Sequence, residues 1–399
     1  MKRLALSLCV LASIFTSCSS DDDNTTGGQQ IETPITYSFE RNGESTVNFG
    51  GQTTRIAMAG ELASALLDNT NTEAQLDGMF AHVEGEADFS DADLNASDKS
   101  IRSKVAASKD FFSANATLSA AIKAEFDAWI EDQATTVFPN WDATATPGSA
   151  GQLQQAGGGS IRYINGKGFE LNQVVAKGLI GGLMTDQMLN NYLSPAVLDE
   201  GSNIENNDND IVEDGKTYTT MEHKWDEAYG YLYGAEIDAT MPVLGADSFL
   251  NNYLNRLEND EDFAGIAQTV FDAFKLGRAA IVAKDYNLRD AQAEIIKAQI
   301  SKVSAVRAVH YLQAGKQKLA ENDMASAFHQ LSEGLGFIYS LQFTREPNST
   351  QPYFTNAEVM AFMNTLSEGN GFWDVTAETL DTISQEIADR FDFTVEAAN

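Results

Sequence analysis

Two histidines head closely similar stretches of this chain. His223-Lys-Trp-Asp-Glu227-Ala-Tyr-Gly230-Tyr231-Leu232-Tyr233 aligns without a gap on His329-Gln-Leu-Ser-Glu333-Gly-Leu-Gly336-Phe337-Ile338-Tyr339. In each copy His and Glu stand at i and i+4, which puts both side chains on one helical face, a turn apart. An imidazole nitrogen beside a carboxylate is a donor pair suited to iron or zinc. Asp226 offers the first copy another carboxylate, whereas Ser332, at the same place in the second, is a poorer ligand. The candidate metal ligands are therefore His223, Asp226, Glu227, His329 and Glu333. The same spacing also suits a structural His–Glu hydrogen bond, followed by a glycine where a second helix can approach. The sequence leaves both readings open.

Little else in the chain points to chemistry. It contains no His-Glu-x-x-His, no Gly-x-Ser-x-Gly and no cysteine nucleophile, so no catalytic set is visible and an enzyme is not expected. Gly178, Gly181 and Gly182 lack the Lys-Ser/Thr of a phosphate loop and sit in a helical pattern, which suggests close helix packing. The acidic run 199–215 does not match the spacing of an EF-hand and reads as a solvated loop, with a weak calcium or iron site as the alternative. His310 lies in an Ala/Val-rich helical stretch and reads as a core residue.

The elements that must carry the two turns are helical. Residues 36–49 alternate polar and apolar around Asn42-Gly43, a β-hairpin signal, and Gly50-Gly51 ends it. From Thr54 the periodicity predicts helices, including 100–112, 118–133, 170–193, 219–234, 247–258, 263–283, 287–319, 323–341, 356–367 and 376–391. Two long irregular stretches, 135–167 and 199–215, interrupt them. The repeat continues downstream, where Phe249-Leu250-Asn-Asn-Tyr253-Leu254 resembles Val359-Met360-Ala-Phe362-Met363 and each is followed by a Phe. The expected fold is all-α: a helical bundle of two pseudo-symmetric units, about 170–284 and 287–391, within a single domain 34–399 that opens with a small β-hairpin.

The N-terminus sets the compartment. Lys2 and Arg3 precede about a dozen apolar residues, a signal-peptide pattern too short to span a bilayer. Phe15-Thr16-Ser17-Cys18 then resembles a lipobox, so residues 1–17 read as signal peptide, Cys18 as the acylated residue and 18–33 as a polar tether. The expected location is the outer membrane, at the cell surface or the periplasmic face. The formal net charge of −32 becomes more negative once Lys2 and Arg3 are removed. That disfavours nucleic acid and anionic lipid as partners and favours cations.

A helical exported lipoprotein with an internal repeat and a His/acid turn resembles the imelysin group of iron-regulated proteins. Those are two-subdomain helical bundles with a Gly-x-His-x-x-Glu turn. Here Glu222 precedes His223, and the glutamate falls one place later. Tyr37-Ser-Phe39 with Arg41-Asn-Gly43, Gly51-Gln52-Thr-Thr-Arg55, Lys177-Gly178-Leu-Ile-Gly181-Gly182 with Asp186-Gln187, and the His223 turn itself look like an uncharacterised lipoprotein family, domain of unknown function 4856. That family resembles imelysins and often accompanies them in iron-acquisition gene sets. The resemblance implies a binding or accessory protein in iron or iron-compound acquisition at the envelope. Iron or another divalent cation would be its ligand, and an outer-membrane transporter or an imelysin-type protein its partner. The alternative is an envelope scaffold that assembles with a receptor and holds no small ligand.

The anchor has a direct test. Cys18→Ala should move the protein from the membrane fraction to a soluble or uncleaved form. Unchanged membrane association of that variant would remove the anchor reading.

Overall fold

Helix starts are strongly encoded along the chain. Thr72, Thr219 and Thr355 each head a capping box, in which the threonine side chain accepts from the backbone three residues on and a Gln or Glu there reaches back. Asn115, Asp285, Asp323 and Thr376 cap four more helices with side-chain oxygens. The computed structural model describes residues 31–399. The expected signal segment 1–17, Cys18 and most of the tether 18–33 lie outside them.

The class is all-α, with a small hairpin at the start. The central element is Tyr286–Ala320, the longest helix at 35 residues, about 52 Å at 1.5 Å per residue. It packs chiefly on the helices Ile266–Ala283, Met324–Ser340 and Ala377–Arg390. Ile296, Ile300, Val303, Val309 and Leu312 are buried along it, and Ala305 and Ala308 between them let neighbours come close.

Near the N-terminus, strands β1 (Glu40–Arg41) and β2 (Glu44–Ser45) pair antiparallel. Asn42 and Gly43 turn between them at φ +56° and +81°, the two positive φ values of a type I′ turn. Strand pairing covers less of 36–49 than the alternation suggests, because Tyr37 leaves the hairpin to stack on Tyr229, with rings 3.6 Å apart. Gly50 and Gly51 do not end this segment. They form the first turn of the helix Gly50–Ala65.

Other differences from the sequence reading have local causes. The single helix expected at 100–112 is two short turns, Ile101–Lys104 and Lys109–Phe112. Ala106 breaks it at φ +46°, and its N–H donates to the Gly182 carbonyl instead of to a helical partner. The irregular stretch 135–167 contains a second antiparallel hairpin, β3 (Gly151–Gln154) with β4 (Ile161–Ile164). Its glycine-rich connection hid the alternation. The acidic loop holds a helical turn, Asn203–Asp208, whose buried Asn207 donates to the Ile281 carbonyl and accepts from the Thr219 hydroxyl. Part of that loop therefore serves to hold the start of the His223 helix.

The helix that begins at Leu171 runs in π form over Ile180–Thr185 and again over Met188–Tyr192. A β-carbon on Gly181 would lie 2.5 Å from Ser340 Cα, and those on Gly178 and Gly182 would press on Phe126. This bears out the packing role expected of these three glycines.

Gly336 sits in the same kind of crossing. A β-carbon there would lie 2.5 Å from Lys177 Cβ, whereas one on Gly60 would meet nothing within 4 Å. Gly336→Ala should cost about 1–3 kcal/mol in urea unfolding through overpacking. Gly60→Ala, on a helix surface, should be neutral or gain up to about 1 kcal/mol. Equal effects from the two would refute the crossing as the cause.

Candidate functional site

The two His turns lie on helices Thr220–Tyr233 and Met324–Ser340. Each is crossed at its glycine by an earlier helix: a β-carbon on Gly230 would overlap Phe49 and Gln52, and one on Gly336 would overlap Val174 and Lys177. The chain just before each crossing helix meets the histidine. His223 Nδ1 lies 3.0 Å from the Asn48 carbonyl oxygen, and His329 Nδ1 lies 2.6 Å from Glu170 Oε2. The residue three after each histidine takes a backbone N–H from the same place. Asn48 N donates to Asp226 Oδ2 at 3.2 Å, and Glu170 N donates to Ser332 Oγ at 2.8 Å.

Donor logic assigns the ring protons. A carbonyl or carboxylate oxygen can only accept here, so Nδ1 carries the hydrogen in both rings and a neutral ring presents a lone pair at Nε2. Nε2 of His223 faces Glu227 Oε2 at 4.0 Å, and Nε2 of His329 faces Glu333 Oε2 at 3.7 Å. Both gaps are too wide for a direct hydrogen bond. Burial pulls the His223 pKa below its usual value against the pull of Glu227. Burial pushes Glu227 and Glu333 upward, but Lys224 and Lys177 respectively, each with its histidine, outweigh it and hold both carboxyls below the usual glutamate value. Lys224 Nζ is 2.7 Å from Glu227 Oε2, and Lys177 Nζ is 3.3 Å from Glu333 Oε1. Gln52 Nε2 donates to Glu227 Oε1 and the Tyr253 hydroxyl to Glu333 Oε1.

The structure therefore brings His223 to Glu227 and His329 to Glu333 but takes Asp226 away from both. Asp226 immediately precedes Glu227, and that one step rotates its side chain about 100° round the helix, onto the buried face. There Asp226 accepts from the Tyr37 hydroxyl at 2.6 Å and from Arg278 Nε at 3.1 Å. Arg278 also donates to Glu222 Oε1 and Thr46 Oγ1, and Arg41 grips Glu222 from the hairpin. Among the described residues, no three His, Cys, Asp or Glu side chains converge where a metal ion could be held. His310, expected in the core, is half-buried with Nδ1 on the Ala398 carbonyl, and burial beside Arg307 brings its pKa down to about 4.

Sequence reasoning missed Arg278 and Glu222. The Thr219-x-x-Glu222 capping signature was there to be read for Glu222. Nothing local marks Arg278. It also missed the polar face of the π stretch. Asp186, fully buried, accepts from Ala107 N and Ser108 N at 3.0 Å each. Asn190 donates to the Phe343 carbonyl, and Gln187 to the Lys104 carbonyl. Asp186 and Gln187 thereby hold residues 104–108 in their broken-helix path.

A family model described as domain of unknown function, DUF4856, matches residues 34–394. The chain belongs to that family. No curated protein and no solved structure matches it.

Asp186 provides a pH test. Burial, only partly offset by hydrogen bonds from Ser108, Asn190 and Ala107, raises its carboxyl from 3.8 to about 7. A folded pKa above the unfolded one means that the folded state holds the extra proton. The contribution is full below about pH 4 and is lost as pH rises to about 7. Asp186→Asn should flatten the pH dependence of urea stability in that window. A profile identical to the parent's would show that Asp186 is ionised throughout.

Proposed function

We propose that this protein is an exported lipoprotein of the outer membrane, acting as a binding or accessory protein in the acquisition of iron or an iron compound at the cell envelope. The lipobox-like Thr16-Ser17-Cys18, the polar tether and the likeness to imelysins support the setting. One observation carries the ligand: in both turns the imidazole Nε2 faces a glutamate oxygen, 4.0 Å away at Glu227 and 3.7 Å away at Glu333. A metal ion held between an unprotonated ring nitrogen and the carboxylate fits such gaps, with metal–nitrogen and metal–oxygen bonds of roughly 2.0–2.2 Å each.

By residue type the first turn, with Asp226, would bind the more tightly, but the contacts around each glutamate favour the second. Lys224 already neutralises the Glu227 oxygen that faces His223. At the second turn Lys177 and Tyr253 sit on Oε1 of Glu333, leaving Oε2 to His329 alone. His329 and Glu333 would bind the more tightly, with water completing the shell, and a transporter or imelysin-type partner would receive the ion.

The second reading is a receptor-docking scaffold without a small ligand. It is favoured by the lysine beside each glutamate and by the commitment of Asp226 to Arg278. Anaerobic ferrous titration of the mature protein, with its histidines followed by NMR, separates the two. Direct binding predicts that the His329 resonances broaden first, that His223 follows, and that His329→Ala abolishes the first event while leaving the fold intact. Histidine resonances that stay unchanged to millimolar iron would leave the scaffold reading in place.

A further inference from the structure

The connection after the His223 helix, residues 235–249, is braced along its length. Glu236 accepts from Val243 N at 3.3 Å, from Leu244 N at 3.0 Å and from Asn251 Nδ2 at 2.7 Å. Asn251 Oδ1 accepts from Gly245 N and Ala246 N. Asp238 caps Thr240, and the Tyr229 hydroxyl donates to the Ala239 carbonyl. Tyr37 N donates to the Thr240 carbonyl, joining the loop to the chain's N-terminal entry. Leu244 stands at φ +68°, a conformation a branched residue rarely adopts, and packs on the core.

This bracing presents apolar side chains to solvent. Ile237 is fully exposed, at 106%, with Val243 at 84% and Ile35 at 83%. They are the three most exposed large apolar side chains among the described residues, and each stands within three residues of Tyr37 or Thr240, which the hydrogen bond joins. Met241 adds a fourth. Scattered exposed apolar residues need no explanation, but a group held outward by a strained, hydrogen-bonded loop does.

The place of the patch identifies what it meets. Ile35, whose carbonyl Lys275 also holds, is where the globule joins the tether. From Cys18 to Ile35 the chain runs 17 residues, polar for most of its length, so covalent geometry alone tethers this patch within about 60 Å of whatever holds Cys18. Glu236 and Asp238 on the loop, and the net charge of −32, disfavour anionic headgroups. We propose that Ile35 and the loop Ile237–Val243 form the membrane-facing surface of the globule, seating their apolar side chains among zwitterionic lipid headgroups. This rests on the lipid-anchor reading above.

The test uses the full mature chain, in which Cys18 is the only native cysteine. Ile237→Cys, Val243→Cys and, on the exposed side of the helix Ala377–Arg390, Thr382→Cys each take an environment-sensitive fluorophore. The acylated proteins are placed in phosphatidylcholine vesicles with and without headgroup-proximal spin-labelled lipid. The same chains are also held to nickel-chelating phosphatidylcholine vesicles by histidines placed before Ser19, which supplies an anchor whether or not Cys18 is acylated. Flotation of the acylated form reports the anchor and quenching reports the loop, so the two readings fail separately. The proposal expects blue-shifted emission and loss of most fluorescence to quencher at 237 and 243, with neither at 382. Quenching at 243 should largely disappear when Ile237→Ser and Met241→Ser are added. Unshifted, unquenched labels at 237 and 243 on vesicle-held protein overturn it. So does capture of an envelope protein by a photocrosslinker at 237 in place of lipid quenching, which would make the patch a protein-docking surface.

Discussion

One buried guanidinium organises the first half of this protein. Arg278 donates to Asp226, Glu222 and Thr46 and stacks against Phe39 at 4.8 Å, with no exposed surface of its own. Through those partners it joins the helix Ile266–Ala283 to the His223 helix and to the N-terminal hairpin. Arg41 supplies a second positive charge to Glu222, so two carboxylates meet two guanidinium groups. A cluster of that kind adds little net stability over a hydrophobic replacement, but removing one member leaves an unpaired charge in the core, at roughly 3–5 kcal/mol. Its effect is to fix one arrangement. With the hairpin pinned, Asn48 is delivered to His223 and Asp226, Phe49 and Gln52 cross the helix at Gly230, and Tyr37 meets the loop at Thr240.

The second turn reaches a similar result by different means. Glu170 stands where Asn48 stands in the first, offering its backbone N–H to Ser332 and its carboxylate to His329. Gly336 admits Lys177 as Gly230 admits Gln52. In both copies the histidine is oriented from the side by residues just ahead of a crossing helix, and the glutamate is held by a lysine. The chemistry of the turns depends on this held geometry: a ring with its proton committed at Nδ1 and its other nitrogen across a gap from a carboxylate.

The overall charge is strongly negative, yet both turns are locally balanced by cations. Lys104 and Lys224 lie over the Tyr192 ring near the first turn, and Arg307 lies over Tyr253 and Tyr311 near the second. Attraction of cations to the protein as a whole is therefore a different matter from the field at either histidine. The apolar loop at Ile237 belongs to neither turn, although the Tyr37 that stacks on the His223 helix also braces it.

Much of this protein was legible in the residues themselves. Periodicity, caps and the Asn42-Gly43 turn report local backbone preference, so they determined an all-α body opened by a hairpin, and the i, i+4 spacing determined that each His would face its Glu. The glycines at 178, 181 and 182 were read correctly because a helix needs a glycine only where something comes close. Asp226 shows the limit. Its spacing from His223 and Glu227 invited a shared site, but which helical face is buried, and what waits there, depends on Arg278 and Tyr37, far away in the chain. The break at Ala106 likewise depends on Gly182 and Asp186, and the exposure of Ile237 on a hydrogen-bond frame that includes Asn251 and Tyr37. Sequence spacing determines what lies along one element. Only the packing of distant elements decided which carboxylates are already paired and which imidazole nitrogens are left free, because those pairings cross between segments with no local signature.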